Sequence, residues 1–74
     1  MIEELDRVAL TRNLPEHGLI AGDIGAVVGV HQDGKGYTLE FMALDGTTLA
    51  IVTLDAEGVR PLREREVAHA RQVA

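Results

Sequence analysis

Hydrophobic and polar positions alternate along most of this chain, and the alternation breaks at glycine, proline and Asp-Gly pairs. Residues 5–12, LDRVALTR, place Val8 and Leu10 on one face and read as a first strand. Residues 13–23, NLPEHGLIAGD, are punctuated by Pro15, Gly18 and Gly22; they predict a long loop held to the body by Leu14, Leu19 and Ile20. The β-branched run DIGAVVGVH (23–31) predicts a second strand, with Gly25 and Gly29 marking strong twist or a bulge. Asp33-Gly34 then makes a hairpin turn. In YTLEFMAL (37–44), Tyr37, Leu39 and Phe41 share one face and Thr38 and Glu40 the other.

A second turn at Asp45-Gly46 leads into TTLAIVTL (47–54), which is apolar on both faces: Leu49 and Ile51 on one, Ala50, Val52 and Leu54 on the other. Two-sided apolarity requires something to cover the outer face. DAEGVRPL (55–62) supplies a tight turn and a short closing strand, with Pro61 restricted to an edge position. These elements predict an all-β fold, a small five-stranded SH3-like barrel over residues 1–62, because closure removes the exposed edges of so small a sheet. Residues 63–74 switch to helix-favouring types with a weak apolar stripe and predict a short C-terminal tail, weakly helical or frayed. Val28, Leu39, Phe41 and Ile51 are the expected core. Ala50, Val52 and Leu54, with Arg63, Arg65 and Val67 of the tail, form the candidate partner surface.

Size sharpens this picture. With 74 residues the chain makes one small domain, and such a domain buries only about 60% of the surface its unfolded form exposes. A hydrophobic fraction of 46% is high for that size and points to a partner surface or self-association. The chain has no cysteine, which excludes disulfides, thiolate metal sites and a cysteine nucleophile. The acidic start, MIEELDRV, differs from a basic signal peptide, and no apolar run approaches the roughly 20 residues that cross a bilayer. A soluble, cytoplasmic protein without membrane association is expected.

Charge changes the list of partners. The net charge is −5, but residues 1–59 set Arg7, Arg12 and Lys35 against ten acids, whereas residues 60–74 set Arg60, Arg63, Arg65 and Arg71 against Glu64 and Glu66. An acidic body repels phosphate backbones, so nucleic acid is disfavoured as a ligand except through the tail. Stacking platforms for single strands are also scarce, since Tyr37 and Phe41 are the only aromatics and both read as core. The same scarcity argues against a groove for proline-rich peptides.

Candidate chemistry is thin. GVHQDGKG (29–36) has the spacing of a phosphate-binding loop, but Gly36 stands where a hydroxyl would hold magnesium, and a strand pattern follows instead of a helix. It reads as a hairpin turn. His17 beside Glu16, His31 near Asp33 and the isolated His69 do not show converging metal-ligand spacing. With no serine, no cysteine and one lysine, nucleophiles reduce to threonines with no histidine beside them. No catalytic residue, metal or cofactor is expected, and the chain reads as a non-enzyme.

The run LDRVALTRNLPEHGLIAGDIGAVVGV, followed by YTLEF and TLAIVTLDAEGVRPL, resembles a family of small bacterial proteins of unknown function. Its members carry L-P-E-x-G-L, then G-D-x-G-x-V-V, and close with V-T-L and R-P; the likeness covers about residues 5–62. The A-G-D-x-G-x-V-V segment is also similar to strand entries in KOW-type and nitrile-hydratase-like barrels. The resemblance implies an SH3-like barrel and an accessory or antitoxin-type protein encoded beside a partner. It carries over structural positions only: Leu14, Pro15, Gly18, Gly22, Asp23 and Gly25, with Gly34, Gly46 and Pro61 as turn and edge residues. The functional expectation is a protein-interaction module, compatible with homo-oligomerisation; the alternative is a KOW-like nucleic-acid-associated module using the Arg-bearing tail.

Overall fold

The computed structural model describes residues 1–73. Five strands, β1 (Arg7–Leu10), β2 (Ile24–His31), β3 (Gly36–Met42), β4 (Thr48–Asp55) and β5 (Val59–Pro61), form one antiparallel sheet in the order β4-β3-β2-β1-β5. Two 3₁₀ turns, Pro15–His17 and Ala56–Gly58, complete the regular structure. β4 and β5 lie at opposite ends of the sheet order, yet the three-residue turn Ala56–Gly58 joins them. A sheet whose two ends are that close must curl on itself, and the result is the five-stranded, SH3-like barrel expected from the sequence.

Local chemistry explains the connections. Asp55 Oδ1 accepts the Gly58 N–H at 3.0 Å and so caps the turn between β4 and β5. The β2–β3 hairpin turns through positive φ at Gln32 (49°), Asp33 (58°) and Gly34 (97°), conformations that Asp tolerates and Gly favours. In the long loop, Leu14 and Leu19 form an isolated β-bridge around the first 3₁₀ turn, and both are buried. Asn13 Oδ1 accepts the Ala21 N–H at 2.9 Å, so the loop is tied at both ends.

One core fills the barrel: Val8, Leu10, Leu14, Leu19, Val27, Tyr37, Leu39, Phe41, Val52, Leu54 and Val59. Leu39 and Phe41 are buried as expected, but two other expected core residues lie outside. Val28 is 42% exposed and Ile51 is 62% exposed. In β2 the pairing passes from Val27–Leu39 to Gly29–Thr38, so Val28 is the extra residue of a bulge and Val27 takes the inward position. In β4, Ile51 pairs with Glu40 and Val52 with Leu39; directly opposed residues share a face, so Ile51 joins Glu40 outside and Val52 joins Leu39 inside. Val52 and Leu54 are therefore core, not the exposed partner surface that the sequence pattern predicts.

The tail is also corrected. Residues 63–73 contain no helix and run as an irregular, largely exposed segment held by side-chain bonds. Arg60 donates from Nη1 to Glu66 Oε1 at 2.9 Å, and the Arg63 N–H donates to the same oxygen at 2.6 Å. Farther on, Arg71 Nε donates to Asp23 Oδ1 and Arg71 Nη2 to the Gly18 carbonyl, both at 2.9 Å. One local ion pair, Arg60–Glu66, and one long-range pair, Arg71–Asp23, rather than an apolar stripe, tie this segment to the body. Ala74 lies outside the described residues.

Candidate functional site

Three surfaces collect the polar and apolar groups that the core does not use. The first is the outer face of the β2–β3–β4 strands. His31 Nε2 meets Thr38 Oγ1 at 2.7 Å, and Thr38 Oγ1 meets Thr53 Oγ1 at 2.8 Å. Thr38 and Thr53 are directly opposed across β3 and β4, which is why alternation brings their hydroxyls together. With Lys35 and Asp55 they line a shallow, open depression. His31, Thr38 and Thr53 thus form a side-chain ladder across three strands on the outer face of the sheet. Among the described residues, no three of His, Asp or Glu converge to hold a metal ion.

The second surface is the tail and the sheet beneath it. A cleft between them is lined by Ala9, Ile24, Arg60, Leu62, Glu66 and Val67. The Arg60 guanidinium and the Arg63 N–H hold the Glu66 carboxyl down at about 2, and Arg71 lowers that of Asp23 against the opposing effect of burial. Among the described residues, Arg60 and Arg71 are thus each paired with a carboxylate, while Arg63 and Arg65 form no salt bridge. The tail runs to Asp23 and Gly18 rather than to β4, so Arg63, Arg65 and Val67 do not join Ala50 in one partner surface.

The third surface is β4 itself, an end strand of the sheet. The Ala56 N–H donates to the Lys35 carbonyl at 3.0 Å, next to the Gly36–Asp55 pair. In an antiparallel ladder, bonded and non-bonded pairs alternate. That phase turns the N–H and C=O groups of Ala50, Val52 and Leu54 toward β3, and those of Ile51 and Thr53 away from it. Among the described residues these outward groups have no hydrogen-bond partner. The opposite end strand, β5, has three residues and ends in Pro61, which lacks an N–H. A bulge at Leu49 interrupts one end of β4, where pairing passes from Phe41–Ala50 to Met42–Thr48. Between Ala50 and Leu54 there is neither charge nor proline to guard the edge.

Apolar side chains frame that edge. Met42, Leu44, Leu49 and Ile51 all come from the β3–β4 hairpin and all are exposed, Leu44 completely. From Gly36 to Asp55 there is no cationic side chain, only Glu40, Asp45 and Asp55. The Thr47 N–H holds the Asp45 carboxyl below its ordinary value, and Thr48 donates to Glu40 at 2.7 Å. Sequence reading missed this surface because edge position is a property of strand order, which no local pattern encodes.

Strand order, curl and core together define the class: a small all-β domain with an antiparallel, SH3-like barrel. Within that class, the chain belongs to the family described as Domain of unknown function (DUF4926), whose model matches residues 4–61. The match spans the barrel from just before β1 through the last residue of β5 and stops short of the tail. No curated protein and no solved structure matches the chain significantly. Among the described residues, no helix is long and apolar enough to cross a membrane.

Proposed function

We propose that this chain is a non-enzymatic protein-interaction module, an accessory or antitoxin-type protein that docks a protein partner encoded nearby. The observation that carries this reading is the β3–β4 hairpin, which leaves four large apolar side chains in solvent beside an unpaired edge. A single exposed apolar residue is ordinary; a cluster on one hairpin is the composition of a docking surface. Protein docking is favoured over the KOW-like nucleic-acid alternative because two of the four arginines from Arg60 onward, Arg60 and Arg71, are already paired with carboxylates.

The two readings differ in their response to salt. Capture from a native lysate should yield a stoichiometric protein partner that persists in high salt and is lost with a Leu44→Glu/Ile51→Glu variant. Labelled mixed-sequence DNA and RNA should not bind at physiological salt. Oligonucleotide binding whose affinity falls with salt, with a slope of about 0.9 per neutralised phosphate on duplex DNA, and that vanishes on truncation after Leu62 would overturn the proposal and promote the nucleic-acid reading.

A further inference from the structure

We infer that the open edge of β4 takes an extended apolar segment of a partner protein, flanked by Lys or Arg, as a sixth strand of the sheet. The inference rests on the protein-docking reading and specifies its mode and the partner's chemistry. Ile51 and Thr53 present two N–H and two C=O groups in the spacing of a β-ladder, with Ile51 exposed beside them and Ala50 half-buried on the inner side. An added strand therefore meets hydrogen-bond partners in the plane and apolar side chains on both faces, so its central residues should be β-branched or apolar.

Charge and area choose the occupant. The hairpin carries Asp45 at its turn and Glu40 beside Ile51, with no cation between Gly36 and Asp55, whereas Asp55 at the far end of β4 is already paired with Arg12 at 3.3 Å. Lys or Arg at the end of the incoming segment that lies toward the turn complements Asp45 and Glu40, and a segment with a cation at each end meets them in either direction. A second copy fits less well. Each chain carries −5, so two bodies repel, and a stable dimer needs about 800 Å² from each partner. Two outward-facing residues on a short edge offer far less. A flexible peptide has no bulk charge to bring close and needs only the edge.

The test is amide hydrogen exchange by NMR on the full chain, with a terminally blocked Lys-Val-Thr-Val-Thr-Val-Lys peptide and its Glu-for-Lys counterpart. The Lys-flanked peptide should slow exchange at Ile51 and Thr53 by about tenfold or more, leaving Ala50 and Val52, already bonded to β3, little changed. The Glu-flanked peptide should have no effect. Ile51→Lys should abolish the slowing while leaving the far-ultraviolet spectrum and melting temperature unchanged. The inference is overturned by no slowing at Ile51 and Thr53, by slowing confined to another strand, or by equal slowing with both peptides. Protection that rises with protein concentration in the absence of peptide would also overturn it, by assigning the edge to a second copy. A native partner still captured by the Ile51→Lys protein would overturn strand addition while leaving the interaction reading intact.

Discussion

Gly25→Ala tests the closest contact in the core. A Cβ on Gly25 would lie 2.8 Å from Cε2 and 2.9 Å from Cζ of Phe41, and the ring itself is 2% exposed with core on all sides. Because the obstacle is a packed ring rather than the free end of a side chain, ring and strand must separate by several tenths of an ångström. Overpacking of this kind costs about 1–3 kcal/mol. Alanine also loses less chain entropy on folding than glycine, which offsets about 0.4–1 kcal/mol. The clash wins, leaving a net loss of about 1–2 kcal/mol, and in a domain of this size each kcal/mol shifts Tm by about 4–8 °C. Thermal and urea unfolding followed by circular dichroism should show a drop of about 5–15 °C. Phe41→Leu removes the ring and opens space for the new methyl. The double variant should therefore be more stable than the sum of the singles predicts, by about 1 kcal/mol, the coupling expected of residues in direct contact. A Gly25→Ala protein with unchanged or raised Tm, or strict additivity in the cycle, would refute the proposed packing of strand β2 against Phe41.

Three further expectations follow from separate features. Leu5 holds φ at 73° while 82% exposed, so Leu5→Gly should relieve about 1 kcal/mol of left-handed strain, offset by about 0.4–1 kcal/mol of extra chain entropy lost by glycine, and leave Tm unchanged or slightly raised; a clear fall in urea midpoint would contradict this. The carboxyls of Asp23 and Glu66 lie below their ordinary values of 3.8 and 4.5, Glu66 at about 2. Their contribution to tail docking is therefore complete above those ordinary values and lost as pH falls through the lowered ones. ¹⁵N relaxation should show the tail gaining mobility below about pH 4 while the strands stay rigid, and a tail equally rigid at about pH 2 would count against the ion-pair clamp. Magnesium with ATP or GTP should produce no saturable thermal shift, since Gly34 to Gly36 belong to a hairpin and lead into β3 rather than a helix.

Strand positions were legible because alternation and the Asp-Gly turns carry them locally. Tyr37, Leu39 and Phe41 could be assigned to the core because β3 keeps a strict period of two. β2 does not: the bulge at Val28 resets inside and outside in mid-strand, so a pattern counted from either end assigns one half wrongly. β4 fails for another reason. With Leu49, Ala50, Ile51, Val52 and Leu54 all apolar, periodicity cannot choose a face; register against Glu40 and Leu39 chooses it. Helix propensity misled in the tail because Arg71 finds Asp23, 48 positions away in sequence, and no local signal announces such a pair. Gly25 and Gly29 did announce twist or bulging, and the bulge falls between Val27 and Gly29. The open edge was invisible, because it depends on where the sheet ends.

The three-residue turn that joins the two ends of the sheet also orders the folding of the chain. β2, β3 and β4 are linked by short hairpins and can form with little loop-closure entropy. β1 finds its second neighbour only through Val8–Pro61, Ala9–Arg60 and Leu10–Val59, pairs that span nearly the whole barrel sequence. Closure of that pair is the pairing of highest contact order in the sheet, the kind that slows folding. During synthesis, β1 therefore waits with one side unsatisfied until Pro61 has emerged. A chain interrupted just before Val59 keeps its three local strands but leaves Leu10 uncovered and a second edge open, a species prone to aggregate. Completion of the shortest strand is what turns an adhesive intermediate into a barrel with a single unguarded edge.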